Sequence, residues 1–241
     1  MKFEVLALDY DGTIARDGVL DPDVRAAVMA ARERGIVAVL VTGRILADID
    51  RAAGGLEFVD ALVAENGAVI AFPNGHSRLL GQSPPQIFLD QLRQLDIDFA
   101  VGQCIVDTGA ASAQKILELI RKLELPLVLL FNRDRLMVLP QGISKGTGLR
   151  AALDALRLSP HNAIGIGDAE NDHDLLEACE VGVAVSWGSA TLQEKADEVL
   201  VGDGPQAVAE YLRRATQEMR LPKDRNGRHR ITLGTADDVA L

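Results

Sequence analysis

The sequence predicts an α/β fold, in which helices cover both faces of a mainly parallel sheet and a smaller α+β unit is inserted. Two observations support this prediction. Apolar strand segments alternate with helical segments over residues 1–80 and again over 141–215, which is the pattern of βαβ units. Residues 81–140 interrupt that alternation with two helical segments and a strand pair joined by Arg133-Asp134, a pattern typical of an α+β insert.

The first part of the core begins with FEVLALDY, an apolar run with a β-branched residue that predicts a buried strand. A helix is predicted from Asp21, an N-cap residue followed by Pro22, to Gly35. Next come a strand in IVAVLVTGR, a helix in ILADIDRAAGGL, and two strands in ALVAENGAVIAF around a turn at Asn66-Gly67.

The insert is predicted to contain helices in PPQIFLDQLRQLD and ASAQKILELIRKLEL, with one strand in DFAVGQCIVD between them. LVLLFN and RLMVLP then predict a hairpin. The core resumes with a helix in SKGTGLRAALDALRL and a strand in AIGIG, and ends with a helix in GPQAVAEYLRRATQEM. Residues 216–241 are predicted to be a basic tail or linker, and a second interpretation makes them the start of a further domain.

Composition limits the classes of function. The formal net charge of −10 over 241 residues argues against a general nucleic-acid binder or a protein of anionic membranes. It leaves anionic substrates open, because a metal ion or a lysine can reverse the field inside a pocket. The two cysteines predict buried thiols in a reducing compartment. No signal peptide and no apolar run long enough for a membrane span is present, so we expect a cytoplasmic protein.

The stretch LALDYDGTIARDG has two interpretations. Asp11-Gly12 between apolar runs is a signal for a tight hairpin turn. Alternatively, the strand ends at Leu8 and delivers Asp9 and Asp11 into a site, pointing the same way. Two carboxylates this close repel unless a cation or a proton lies between them. One carboxylate would then suit a nucleophile, and the other a general acid and base. The strand–helix alternation favours the second interpretation.

Other polar residues also follow strands or begin helices, where open parallel sheets bind their ligands. Thr42 and Gly43 end the second strand, and a hydroxyl with nearby amides suits a phosphate oxygen. Lys145 begins a helix, and both an ammonium and a helix N-terminus favour an anion. Each feature also has an ordinary explanation. Thr42 and Gly43 can be a strand end with a helix cap, and Lys145 can be a solvated surface lysine.

A last polar group follows the strand AIGIG. Asp168 and Asp172, with Asn171 between them, offer the oxygen ligands that suit Mg²⁺. A polar loop with a helix N-cap explains the same residues. Arg133 and Arg135 on the predicted hairpin also have two interpretations, as a solvated turn or as contacts with an acidic substrate.

Four motifs occur in a fixed order: DYDGT, VTGR, Lys145 in GISKGTGL, and GDAEND. Together they resemble the haloacid dehalogenase superfamily of phosphohydrolases over residues 1–215. Because the insert lies between the second and third motifs, the chain is most similar to the type-2 cap (Cof-like) subgroup. The resemblance implies a Rossmann-like core of residues 1–80 and 141–215, with a cap of residues 81–140 that acts as a lid and selects the substrate.

The resemblance also implies a mechanism. Asp9 would attack phosphorus and form an aspartyl-phosphate, and Asp11 would protonate the leaving oxygen and then activate water. Mg²⁺ would be held by Asp9, the backbone carbonyl of Asp11 and Asp168, with support from Asp172. The resemblance also argues against the interpretation of Asp11-Gly12 as a hairpin turn.

The remaining motif residues would bind the phosphoryl group through Thr42, Lys145 and the backbone amides of Gly43 and Asn171. The implied reaction is Mg²⁺-dependent hydrolysis of a small phosphorylated metabolite, such as a sugar phosphate or a phosphoglycolate-like compound, without a nucleic-acid or membrane partner. Two alternatives stay open: a phosphomutase or phosphotransferase on the same site, and a regulatory module of a larger protein with a fused C-terminal domain.

Overall fold

The computed structural model describes residues 3–218. Its strands are β1 (Val5–Asp9), β2 (Ala15–Arg16), β3 (Val19–Leu20), β4 (Val37–Val41), β5 (Ala61–Ala64), β6 (Val69–Ala71), β7 (Ser77–Leu79), β8 (Phe99–Val101), β9 (Val106–Gly109), β10 (Leu127–Asn132), β11 (Arg135–Pro140), β12 (Ala163–Gly167), β13 (Val181–Val185) and β14 (Glu198–Leu200). Its α-helices are α1 (Pro22–Glu33), α2 (Leu46–Ala53), α3 (Gln86–Gln94), α4 (Ala113–Lys122), α5 (Lys145–Ala155), α6 (His173–Ala178), α7 (Ala190–Lys195) and α8 (Pro205–Glu218).

The larger sheet has eight strands in the order β14-β13-β12-β1-β4-β5-β6-β7. The strands from β14 to β5 run parallel, and β6 runs antiparallel to both of its neighbours, β5 and β7. Because successive side chains of a strand point to opposite faces, Leu6 and Leu8 join one apolar cluster, with residues of α1 and α8. Val5 and Ala7 join another, with residues of α5 and α6. The predicted α/β class, with helices on both faces, is confirmed.

A second, antiparallel sheet has the order β10-β11-β9-β8. Leu136 and Val138 of β11 pack with residues of α3 and α4 in an apolar cluster of their own. Met137 and Leu139 alternate with them and join the apolar cluster of the larger sheet. The second sheet therefore has one face covered by its helices and the other face packed toward the larger sheet.

The single strand predicted in DFAVGQCIVD is wrong, because the structure has two strands there. β8 and β9 form a hairpin, and the amide of Gly102 donates to the carbonyl of Ile105 across its turn, at 2.9 Å. The turn is stabilised from outside the hairpin, since the buried carboxylate of Glu65 accepts the amides of Gln103 and Cys104. Apolar periodicity within the segment carries no information about that distant carboxylate.

A short hairpin that the sequence analysis missed follows β1. β2 and β3 pair around Asp17 and Gly18, whose φ angles are 52° and 79°. Two positive φ values are what a tight type I′ hairpin turn needs. At Asp11-Gly12 only the glycine has a positive φ, so the hairpin turn forms at the second Asp-Gly pair. The first pair lies just beyond β1, which ends at Asp9.

Other expectations concern the termini and the cysteines. α8 includes residues 216–218, and the rest of the predicted tail lies outside the described residues, as does any further domain. Cys104 is buried, Cys179 is partly buried, and both are free thiols. Between residues 3 and 218, every helix is too short or too polar to cross a membrane.

Gly67 fixes the start of α5 against the larger sheet. Its φ is +104°, and a Cβ at this position would overlap the backbone oxygen of Ser144. We expect Gly67→Ala to lower the free energy of unfolding by about 2 kcal/mol or more, from strain and overlap together. Urea denaturation measures this loss.

Gly75→Ala is the matched control for this prediction. Gly75 also has a positive φ, +86°, but a Cβ there would meet no described atom within 4 Å. Its loss should be roughly 1 kcal/mol, from backbone strain alone. Equal losses in the two variants would contradict the role of Gly67.

Candidate active site

Three buried carboxylates meet at the carboxyl edge of the larger sheet. Asp9 ends β1, Asp168 directly follows the neighbouring strand β12, and Asp172 closes the 3₁₀ turn Glu170–Asp172. One carboxylate oxygen from each lies within 4.8 Å of the others. Their exposures are 3%, 1% and 0% respectively. We call these three residues the acidic cluster.

Lys145 lies inside this cluster. Its Nζ donates to Oδ1 of Asp9 at 2.6 Å and to Oδ1 of Asp172 at 2.5 Å, and the side chain is buried. The lysine is the first residue of α5, and the Ser144 hydroxyl caps that helix by accepting the Thr147 amide. The explanation of Lys145 as a solvated surface residue is therefore wrong.

The charges of the cluster do not balance. Burial lowers the pKa of Lys145, but the carboxylates of Asp172 and Asp9 outweigh it, and its pKa lies above the ordinary value. Burial, followed by the charge of Asp172, raises the pKa of Asp9 well above its usual range and that of Asp168 to about 6. Three carboxylates face one ammonium and one guanidinium, that of Arg133 on Asp168, and the remaining negative charge favours an additional cation. An all-carboxylate donor set suits a hard divalent ion.

Further hydrogen bonds hold the cluster in place. The Thr13 hydroxyl donates to Oδ2 of Asp9 at 3.0 Å, so both Asp9 oxygens have partners. Oδ2 of Asp172 accepts the amides of Asp168 and Ala169, each at 3.0 Å. Asp9 and Asp172 are therefore oriented by donors that do not depend on any ligand.

The phosphate-binding candidates lie around the same cavity as the cluster. Thr42 directly follows β4, which neighbours β1, and its carbonyl accepts the Asn66 amide at 2.9 Å. Asn171 donates from Nδ2 to Oδ1 of Asn66 at 3.3 Å. Within residues 3–218, the buried Oδ1 of Asn171 has no hydrogen-bond partner. The structure thus brings Thr42, Gly43, Lys145 and Asn171 together at one cavity.

Asp11 lines the cavity, but its carboxylate lies outside the acidic cluster. Arg44 binds it through two hydrogen bonds, from Nε and from a terminal guanidinium nitrogen, each at 2.6 Å. The Asp11 side chain is 43% exposed. The Arg44 guanidinium also lies over the ring of Tyr10, 5.2 Å from its centroid. No local sequence pattern predicts a role for Arg44, because its partner is 33 residues away.

The cavity has a volume of about 650 Å³ and is bounded on its far side by the β10–β11 hairpin. Arg133, in the turn of that hairpin, donates to Oδ2 of Asp168 at 2.6 Å. Arg133 therefore fits the solvated-turn interpretation only in part, because its side chain is 64% exposed but its guanidinium contacts the buried Asp168. Arg135 instead pairs with Asp107 on the adjacent strand of its own sheet.

Glu65 is a second residue that sequence analysis missed. It is buried in the left-handed conformation, with φ of 53°, and its amide donates to the carbonyl of Arg44. Its carboxylate accepts the amides of Gln103 and Cys104 at 2.9 and 2.8 Å. Glu65 therefore ties the turn between β8 and β9 to the loop that follows Thr42. The letters ENG indicated only a turn.

The raised pKa of Asp168 predicts a pH dependence of stability in metal-free protein. Because the folded state holds this proton more tightly than the unfolded chain, ionisation costs stability as pH rises from about 4 to about 6. Over this range, the free energy of unfolding of wild type should fall by about 2 kcal/mol relative to that of Asp168→Asn. Urea denaturation in EDTA at pH 4.5 and 7.0 measures the difference. If the difference in unfolding free energy between wild type and Asp168→Asn did not change with pH, this would contradict a raised pKa of Asp168 in the folded state.

Comparisons with known proteins identify the family of the chain. The family model for haloacid dehalogenase-like hydrolases matches residues 6–83 and 82–212. A phosphoglycolate phosphatase of Haloarcula marismortui is 30% identical over 222 residues, covering 86% of this chain and 96% of that protein. Phosphoglycolate phosphatase 2 of Saccharolobus solfataricus is 28% identical over 215 residues, covering 86% and 90%.

The fold has solved counterparts as well. A haloacid dehalogenase-like hydrolase from Bacteroides thetaiotaomicron superimposes with a TM-score of 0.76 at 18% identity, covering 89% of this chain and all of that one. The family match confirms the resemblance that the four motifs carry. The chain belongs to the haloacid dehalogenase-like hydrolases, and its relatives, matched over most of their length, support a phosphatase.

Proposed function

We propose that the protein is a Mg²⁺-dependent phosphatase that hydrolyses a small phosphorylated metabolite through an aspartyl-phosphate on Asp9. The observation that carries the proposal is the buried contact of Asp9 with Lys145, inside an acidic cluster and beside Thr42 at one cavity. A sugar phosphate or a phosphoglycolate-like compound is the substrate class. The names of the relatives, which are phosphoglycolate phosphatases, support the second.

The proposed Mg²⁺ ligands are carboxylate oxygens of Asp9 and Asp168 and the backbone carbonyl of Asp11, with Asp172 in support. When bound, the ion would neutralise part of the negative charge of the cluster and of the phosphoryl group. The excess of carboxylates over ammonium groups, with the raised pKa values of Asp9 and Asp168, supports this assignment.

In the proposed first step, an oxygen of Asp9 forms a bond to phosphorus while the bond from phosphorus to the leaving oxygen breaks. Asp11 gives its proton to that oxygen. Asp11 then takes a proton from water, whose oxygen attacks phosphorus and releases Asp9. Since Arg44 binds the Asp11 carboxylate in the structure, the acid role requires Asp11 to exchange this partner for the leaving oxygen.

The phosphoryl oxygens would be bound by Thr42, Lys145 and the amides of Gly43 and Asn171. An ammonium and fixed donors of this kind stabilise charge where it develops in phosphoryl transfer. We also propose that residues 81–140 form a cap on a core of residues 1–80 and 141–215. The separate apolar cluster of the second sheet supports this division. Such a cap would exclude bulk water while the aspartyl-phosphate forms, before the attacking water molecule enters.

Asp9→Asn should reduce phosphate release by roughly 10³-fold or more, because an amide cannot act as the nucleophile. Phosphate release from a panel of phosphorylated metabolites measures this. Asp48→Asn is the control: Asp48 lines the same cavity on α2, and its carboxylate pairs only loosely with Arg51, at 3.9 Å. It should keep activity within about twofold. If Asp9→Asn kept more than a tenth of the wild-type activity, this would contradict the mechanism.

EDTA should abolish turnover and added Mg²⁺ should restore it, because the acidic cluster needs a cation to accept a negatively charged phosphoryl group. Phosphate release during a Mg²⁺ titration of EDTA-treated protein measures the effect. Circular dichroism before and after the treatment checks that the fold persists. Turnover that is indifferent to both EDTA and Mg²⁺ would rule out the metal.

A further inference from the structure

Arg133 connects the surface of the insert to the buried acidic cluster. It lies in the β10–β11 turn with φ of 55°, and its side chain is 64% exposed. Its guanidinium nevertheless donates to Oδ2 of Asp168, whose side chain is only 2% exposed, at 2.6 Å. A long, largely solvated cation therefore reaches into the cavity from the β10–β11 hairpin.

The ion pair of Arg133 differs from those of the other arginines at the cavity. Arg44 and Arg135 each make two hydrogen bonds to one carboxylate, Asp11 and Asp107 respectively. Two parallel bonds are the strong arrangement for a guanidinium and a carboxylate. Arg133 makes a single bond, and its partner Asp168 belongs to the acidic cluster. A divalent cation and Arg133 would therefore compete for Asp168.

The residue next to Arg133 also faces the cavity with unmet hydrogen-bonding capacity. Asn132 lines the cavity at the end of β10, and its buried Oδ1 has no partner within the described part of the chain. A buried acceptor without a donor is costly. The tip of the hairpin thus presents to the cavity a cation in a single ion pair and an unused polar group. The guanidinium suits an anionic group of a ligand, and the amide oxygen suits a hydrogen-bond donor.

We propose that Arg133 is a specificity-determining residue that binds a carboxylate on the leaving group, so that the substrate is a phosphorylated carboxylic acid. This inference rests on the proposed phosphatase function. A substrate carboxylate can accept two hydrogen bonds from the guanidinium. These two bonds replace the single bond to Asp168. The uncharged leaving group of a sugar phosphate offers no such exchange. Arg133 and a divalent cation bind Asp168 in competition, so removing Arg133 favours the cation.

The test compares 2-phosphoglycolate with ethyl phosphate, which has the same two-carbon phosphoester without the carboxylate. Arg133→Gln should lower kcat/KM for 2-phosphoglycolate at least about tenfold, or about 1.4 kcal/mol, mainly through KM. Its kcat/KM for ethyl phosphate should stay within twofold, and Arg133→Lys should recover part of the loss. Arg135→Gln, which removes a cavity cation paired within its own sheet, should leave the ratio of the two substrates unchanged.

A second readout does not depend on turnover. In calorimetric titrations without substrate, Arg133→Gln should bind Mg²⁺ severalfold more tightly than wild type, because Asp168 loses its competing partner. Circular dichroism confirms folding, and the exposed turn should tolerate the change. Unchanged Mg²⁺ affinity, or an equal loss on both phosphates, would overturn the inference. If wild type is active and Arg133→Gln discriminates between the two phosphates as wild type does, the inference is overturned and the phosphatase proposal stands. Folded wild type that hydrolyses a sugar phosphate but neither of these phosphates would overturn this inference alone. Folded wild type that hydrolyses no phosphorylated metabolite of the panel would overturn both proposals.

Discussion

The buried contact of Lys145 with Asp9 and Asp172 is the constraint on which the site depends. Without this ammonium, three carboxylates within 4.8 Å would repel one another away from solvent. The contact requires α5 to begin at the carboxyl edge of the sheet. The Ser144 cap and the close approach of Gly67 hold it there. A parallel sheet is suited to this arrangement, because adjacent strands end at the same edge.

That constraint is also what made the site predictable from sequence. Once βαβ alternation indicates a parallel sheet, residues at strand ends and helix starts must converge, whatever the length of chain between them. Asp9, Thr42, Lys145, Asp168 and Asn171 lie together around one cavity, although 136 positions separate Asp9 from Lys145. The second, antiparallel sheet was predicted from a different signal, the change in the rhythm of helices and strands.

Side-chain partners were not predictable by that reasoning. The ion pairs of Arg44 with Asp11 and of Arg133 with Asp168 join positions 33 and 35 residues apart, with no local pattern to indicate them. The carboxylate of Glu65 shapes the β8–β9 turn 38 residues later, so the split of one apolar segment into two strands came from tertiary contact. The hairpin at Asp17 and Gly18 does have a local signal, its Asp-Gly pair. The same signal occurs at Asp11-Gly12, so the dipeptide alone does not show which pair forms the turn.

The proposed mechanism requires that Asp9 becomes covalently phosphorylated. Acid quench during the first turnover of a ³²P-labelled substrate, followed by peptide mapping, tests it most directly. We expect a hydroxylamine-labile label on the peptide that contains Asp9, and this label should rise and decay before phosphate release is complete. Asp9→Asn should carry no label. Full phosphate release in the first turnover without any labelled peptide, or with the label on a residue other than Asp9, would contradict the account.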